Sequence, residues 1–437
     1  MPRMLNGAAL AALMIVASPA LAVTPGAPTS AGAFVPASPA ASAVASFYAS
    51  RNNAPLWTAN GTARPAAARL IEHLRQAPID GLASGPHLAT QAQAALTAAQ
   101  GGNPAAVRDA ERLLSTAWVL YVQALKAPVA GVVYGDQSAG RAPSGALILA
   151  QAAVAASLES HVEAVASVNP LYAQLRQAAL TQASANGGVP DRRLIANLDR
   201  ARAMPTRGRF IMVDAASQRL FMYQDGQVVD SMKVIVGKPQ YATPMIASTI
   251  HYATFNPYWH VPPEMVKRII AKNVLSQGAG YLKARGYEVV TGYTDDARVL
   301  GQGEVNWRAV ADGSQQVWVR QLPGGANSMG KMKFQFPNAT GIYLHDTPQK
   351  ELFAQAQRTL SGGCVRLEDA RRLGQWLLGR DPIAPSAAPE QHVRLPQGVP
   401  VYITYLTVQP IGGQLTQVAD VYGRDEAAGA TRVAALQ

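Results

Sequence analysis

The chain has 437 residues, with 38 basic and 27 acidic side chains, a formal charge of +11 and a single cysteine. A length of this order holds two or three domains, and one cysteine can neither close an internal disulfide nor build a thiolate metal cluster. The positive balance favours anionic surroundings; with no dense Lys/Arg tract and no nucleic-acid motif it excludes nucleic acid as the partner, and an anionic envelope polymer suits it better.

The N-terminus has the parts of an export signal: Arg3 as a basic start, an apolar stretch from Leu10 to Val16, and a small-residue cleavage site at Ala20-Leu21-Ala22. A signal peptide over residues 1–22, cleaved near Ala22, places the mature chain in the periplasm. Retention as a membrane anchor is the competing reading, and the apolar run is short for it. No later run reaches the roughly 18 apolar residues that cross a bilayer, so no integral membrane segment is expected after signal removal. Residues 23–43 are mostly Ala, Pro, Ser and Thr without charge and predict a flexible linker.

Residues 44–204 are rich in Ala, Leu and Gln at helical spacing, broken by short Gly/Pro stretches, and predict an all-helical domain. Near Arg209 the pattern changes to strands: Phe210 to Val213, Arg219 to Tyr223, a turn at Asp225-Gly226, then Val228 to Val236 and Thr249 to Phe255. Met265 to Ser276 reads as a helix. Strands resume at Val317 to Arg320, Phe334 to Phe336 and Ile342 to His345; a helix over Glu368 to Leu378 and a strand over Val399 to Val408 follow. The fold class is therefore α+β: a helical domain, then a β-rich domain over 207–408 with an insertion at about 257–323. Residues 409–437 form a C-terminal segment, partly tail. No internal repeat is present.

Cys364 lies in Ser361-Gly362-Gly363-Cys364-Val365-Arg366, nineteen positions after His345. A thiol attacks as thiolate and needs a base or a positive charge beside it; His345 offers the first and Arg366 the second. The alternative is a small buried hydrophobe, and the sequence does not show that His345 and Cys364 meet. A helix just after Cys364 would aim the backbone N–H groups of Gly362, Gly363 and Cys364 at the thiolate and at an oxyanion. Arg366 can clamp a carboxylate or instead pair with Glu368 or Asp369. The other histidines are scattered without metal-ligand spacing, so no metal is expected. Gly324-Gly325-Ala326-Asn327 lacks the ending of a phosphate loop and reads as a turn that contributes to a groove.

These residues resemble the L,D-transpeptidase family, whose YkuD-type catalytic domain carries a histidine and then Ser/Thr-His-Gly-Cys followed by arginine or asparagine. Gly362 stands where most members have histidine. Asn256 to Pro263 (with Trp259), Val305 to Arg308, Gln321 to Gly330 (with Asn327), Lys333-Phe334, Tyr343 to Pro348 and Asp420 to Asp425 are similar to the YcbB-like branch, and Phe47-Tyr48, Arg51 to Trp57 and Asp80-Gly81-Leu82 resemble its N-terminal scaffold domain. The peptidoglycan-binding repeat of many members has no counterpart.

The resemblance implies a cell-wall L,D-transpeptidase without cofactor. Cys364 would be the nucleophile, His345 the general acid/base and Gly363 an oxyanion donor, with Arg366, Tyr343, Gly362, Trp259 and Asn327 binding substrate; Tyr343 reads equally as a core aromatic. The insertion resembles the lid of that branch. The implied partners are peptidoglycan stem peptides, as donor and acceptor, and other wall-synthesis enzymes. The implied chemistry is cleavage of the meso-diaminopimelate to D-alanine bond and 3-3 crosslinking through a thioester, with acylation by carbapenems. An L,D-carboxypeptidase, a protein-to-peptidoglycan attachment enzyme, and a non-catalytic wall-binding scaffold stay open.

Overall fold

The computed structural model describes residues 38–136, 140–188, 190–294, 296–411 and 414–426. The expected signal peptide, the linker up to residue 37 and the tail after residue 426 lie outside the described residues.

Helix α1 (Pro39–Ala49) begins inside the expected linker, because Ala40, Val44 and Tyr48 recur every fourth residue and are all buried. Helices α2 (Pro65–Gln76), α3 (Gly85–Ala99), α4 (Pro104–Leu125), α5 (Gly145–Ala153), α6 (Leu158–Ser167), α7 (Pro170–Ala185) and α8 (Arg192–Ala201) follow. The longest, α4, starts where the Asn103 side chain accepts from the N–H groups of Ala105 and Ala106, with Pro104 at the first helical position. Two buried carboxylates tie these helices together. Glu111 accepts from the N–H groups of Leu56, Trp57 and Thr58 and from the Tyr48 hydroxyl. Asp80 accepts from Arg176, Tyr121 and Tyr172. Buried charges persist only when paired in this way.

The N-terminal region is not all-helical. A small hairpin joins β1 (Thr58–Ala59) to β2 (Thr62–Ala63), and β3 (Val132–Tyr134), a β-branched and aromatic run after Gly131, pairs in parallel with a strand of the C-terminal sheet.

That sheet contains β4 (Arg209–Asp214), β5 (Arg219–Gln224), β6 (Gln227–Gly237) and β7 (Met245–Phe255). After an insertion come β11 (Met332–Gln335), β12 (Leu344–His345), β13 (Thr359–Ser361), β14 (Val365–Leu367) and β15 (Gln391–Thr404). Since β11 pairs with both β12 and β7, eight strands close into a ring in the order β11, β12, β14, β6, β5, β4, β15, β7. Its interior is packed with Ile211, Val234, Phe334, Leu344, Val365 and Leu367, and with Leu373 and Leu377 from the helix Ala370–Leu378. A hairpin of β16 (Val408–Ile411) and β17 (Gln414–Gln417) follows.

The insertion has its own core. Strands β8 (Trp259–Val261), β9 (Tyr287–Val290) and β10 (Trp318–Gln321) form a three-stranded sheet in the order β8, β10, β9. It packs on a helical stretch over residues 263–277 whose middle, Val266–Ala271, is a π-helix. Shorter helices Gly280–Ala284 and Trp307–Asp312 complete it. Among the described residues no helix is long and apolar enough to cross a membrane.

Candidate active site

Strands β12 and β14 run parallel with Leu344 opposite Val365 and His345 opposite Arg366. Side chains alternate along a strand. Leu344 and Val365 point into the core, so Tyr343, His345, Cys364 and Arg366 share the opposite face. The ladder thus places His345 and Cys364 on adjacent strands two register positions apart, since His345 faces Arg366.

The His345 ring is buried and its Nδ1 lies 2.6 Å from the carbonyl oxygen of Asp346. A carbonyl only accepts, so the ring proton sits on Nδ1 and Nε2 carries the lone pair. Burial first, then the Arg366 guanidinium, pushes His345 down to about 4. It is a neutral base at physiological pH.

Burial pushes the Cys364 thiol up, opposed by the Tyr343 backbone N–H and the Arg366 charge. Its Sγ is 3.9 Å from the Gly341 carbonyl oxygen. No helix follows the cysteine directly: Val365-Arg366-Leu367 ladder onto β12 and β6 as a strand. The helix starts only at Ala370, where Asp369 caps it by accepting from the Arg372 N–H. Stabilisation of the thiolate by a helix start is therefore corrected to stabilisation by one backbone N–H and one guanidinium.

The turn before Cys364 is held by Ser361. Its hydroxyl donates to the Cys364 carbonyl at 2.6 Å and accepts from the Gly363 N–H at 3.1 Å. The N–H of Gly363, expected as an oxyanion donor, is thus engaged within the turn, whereas the Cys364 N–H has no partner among the described residues. Gly363 sits at φ +122°, and a Cβ there would come within 3.3 Å of Ile342. Gly362 is exposed with nothing within 4 Å of an added Cβ, so the space for a side chain is open.

Arg366 donates to the Gln349 side chain at 2.7 Å and forms no ion pair among the described residues. Glu368, a candidate partner, accepts from the Lys233 N–H, and Asp369 caps its helix. Tyr343 is half-buried, and burial followed by the nearby thiolate raises its phenol.

Two expected substrate residues have structural contacts of their own. Trp259 packs on Tyr287 within the inserted subdomain, with ring centres 6.3 Å apart. Asn327 is buried; its amide donates to the carbonyls of Pro257, Gln321 and Leu322, and its oxygen accepts from the Met329 N–H. These bonds clasp the two chain crossings of the insertion and engage both ends of the side-chain amide. Sequence reasoning missed Gln349 and Glu390; Glu390 pairs at 3.0 Å with Lys333, which the resemblance includes and which faces His345 across β11 and β12. Neither belongs to a motif that chemistry would flag. No group of three or more metal-ligating side chains occurs among the described residues.

A family model described as the L,D-transpeptidase catalytic domain, YkuD, matches residues 208–403, and one described as the Scaffold domain matches residues 42–178. A Haemophilus influenzae protein named "Putative L,D-transpeptidase" is 26% identical over 394 residues, covering 87% of this chain and 78% of the relative. Among solved structures, an L,D-transpeptidase from Mycobacterium smegmatis is 14% identical with a TM-score of 0.24, over 46% of this chain and 59% of that one. A fragment of one from Xylanimonas cellulosilytica is 16% identical with a TM-score of 0.20, over 55% and 80%. The chain carries a YkuD-type L,D-transpeptidase catalytic domain behind an N-terminal Scaffold domain, the YcbB-like arrangement within that family.

Proposed function

We propose that this protein is an exported cell-wall L,D-transpeptidase with Cys364 as nucleophile. The observation that carries the reading is a neutral imidazole, its Nδ1 proton tied to the Asp346 carbonyl and Nε2 left as a base, on the face that presents Cys364 and an Arg366 without a carboxylate partner among the described residues.

His345 Nε2 takes the thiol proton as Cys364 Sγ attacks the carbonyl between the L-centre of meso-diaminopimelate and the terminal D-alanine of a tetrapeptide stem. The Cys364 N–H holds the oxyanion. Collapse expels D-alanine, whose amine receives the proton from His345, and leaves a thioester. The side-chain amine of a second stem attacks that thioester, His345 takes the amine proton, and thiolate departs to give a 3-3 crosslink. Arg366 binds the stem carboxylate. The inserted subdomain acts as a lid that keeps water from the thioester, and the basic surface favours the anionic envelope.

The test is incubation of the mature protein with a tetrapeptide disaccharide and mass spectrometry of the products. Released D-alanine with dimers supports transpeptidation. Monomeric tripeptide alone means that water is the acceptor, and an unchanged substrate contradicts the reading.

A further inference from the structure

Residues 420–425, Asp-Val-Tyr-Gly-Arg-Asp, carry no part of the proposed chemistry, yet they bond directly to the loop on which the nucleophile turn rests. The Tyr422 hydroxyl donates to the Gly237 carbonyl at 2.7 Å, and an Arg424 nitrogen donates to the Thr243 carbonyl at 2.9 Å. The loop between these two residues meets the turn from the other side. Gly237 N–H donates to Thr243 Oγ1 at 2.8 Å, and that hydroxyl donates to the carbonyl of Gly363, the residue before the cysteine, at 2.7 Å. The Lys238 N–H donates to the Ser361 carbonyl at 3.0 Å. Gly237 has no room for a side chain, since a Cβ there would lie 1.9 Å from the Tyr241 carbonyl oxygen.

The segment is itself anchored. Asp420 accepts from the Tyr405 hydroxyl and from the N–H groups of Arg424 and Asp425. The rings of Tyr405 and Tyr422 stack 5.1 Å apart, and the Arg424 guanidinium lies 4.9 Å from the Tyr422 ring centre. Buried Asp425 receives Arg200 at 2.7 Å and Arg193 at 3.1 Å, both from α8. Arg200 also donates to the carbonyls of Tyr405 and Arg424. An unbroken path of hydrogen bonds therefore runs from α8, through the C-terminal segment and Thr243, to the carbonyl beside Cys364.

We propose that Tyr422, Arg424 and Thr243 are positioning residues that hold the nucleophile turn in register, and that residues 420–425 form a strap linking α8 to Cys364. This rests on Cys364 being the nucleophile, and it adds residues bonded to the turn and its supporting loop. A hydroxyl-mediated support of this kind acts through the placement of reacting atoms, so its loss lowers turnover without weakening substrate binding.

The experiment uses the full mature chain with Tyr422→Phe, which keeps the ring stack, Thr243→Val, which removes both hydroxyl bonds, and Thr243→Ser, which restores them. D-alanine release from a tetrapeptide disaccharide gives kcat and KM, and iodoacetamide alkylation of Cys364 against pH reports the thiol's surroundings. For Tyr422→Phe and Thr243→Val, kcat falls between about tenfold and a hundredfold with KM within about twofold, and Thr243→Ser stays within about threefold of wild type. The alkylation midpoint moves to higher pH in the first two, because a displaced turn takes Sγ away from the Tyr343 N–H and Arg366. Unchanged kcat and an unchanged alkylation profile in folded Tyr422→Phe overturn the strap, even if Thr243→Val fails to fold. If wild type releases no D-alanine, the functional reading fails, and the alkylation profiles alone decide the strap.

Discussion

His345 and Arg366 are register partners across the parallel strands β12 and β14, so a neutral base sits beside a cation that has no ion pair among the described residues, with the thiol two residues upstream of the cation. The guanidinium lowers both neighbours: it helps keep the imidazole unprotonated and draws the thiol down against burial.

The buried imidazole makes stability depend on pH. Its pKa in the folded chain, about 4, lies below the ordinary 6.5, so between these values the unfolded chain binds the extra proton. The contribution is fully present above pH 6.5 and is lost as pH falls towards 4, by up to about 3 kcal/mol. Urea melts between pH 7 and 4 should show this slope in wild type and a shallower one in His345→Gln; equal slopes count against the assignment.

Arg366→Gln removes the charge but keeps a polar side chain. The iodoacetamide midpoint of Cys364 should rise, and KM for a tetrapeptide stem should increase about tenfold or more if the guanidinium clamps a carboxylate. A raised midpoint with unchanged KM confines Arg366 to tuning the thiol.

The two glycines before the nucleophile should respond oppositely. Gly362 is exposed beside open space, and Gly362→His should leave the thermal midpoint unchanged and D-alanine release within about threefold. Gly363, at φ +122° and against Ile342, should lose about 1–3 kcal/mol in Gly363→Ala. Similar melts for both variants would contradict the described turn.

Asn327 should behave as a structural clasp. Asn327→Ala leaves the carbonyls of Pro257, Gln321 and Leu322 and the Met329 N–H without their partner, at a cost of about 2 kcal/mol or more. The melting temperature should fall while KM, measured well below it, stays within about twofold. A KM change without loss of stability would restore Asn327 to the substrate site.

The α+β architecture is legible in the sequence because composition and periodicity change near Arg209, and Cys364 and His345 stand out there as candidates because the proposed chemistry needs those residue types. The site's supports do not. Val365-Arg366-Leu367 is too short to declare itself a strand, so its pairing with β6 and β12, which displaces the helix to Ala370, depends on contacts distant in sequence. Asn327 reads as a groove residue until its bonds are seen, and Thr243 belongs to no motif. β3 escapes because three residues between helices gain their ladder only from β7. Residues 39–43 look like linker by composition, yet α1 buries Ala40 as its first inward-facing residue.

The proposed reaction depends on a thioester at Cys364. Intact-protein mass spectrometry after mixing the mature chain with a carbapenem or a tetrapeptide stem measures it directly, with the modified peptide located by fragmentation. The expected result is a single acyl adduct at Cys364 in wild type and none in Cys364→Ala, which also releases no D-alanine. An adduct on another residue, or D-alanine release by Cys364→Ala at the wild-type rate, would contradict it.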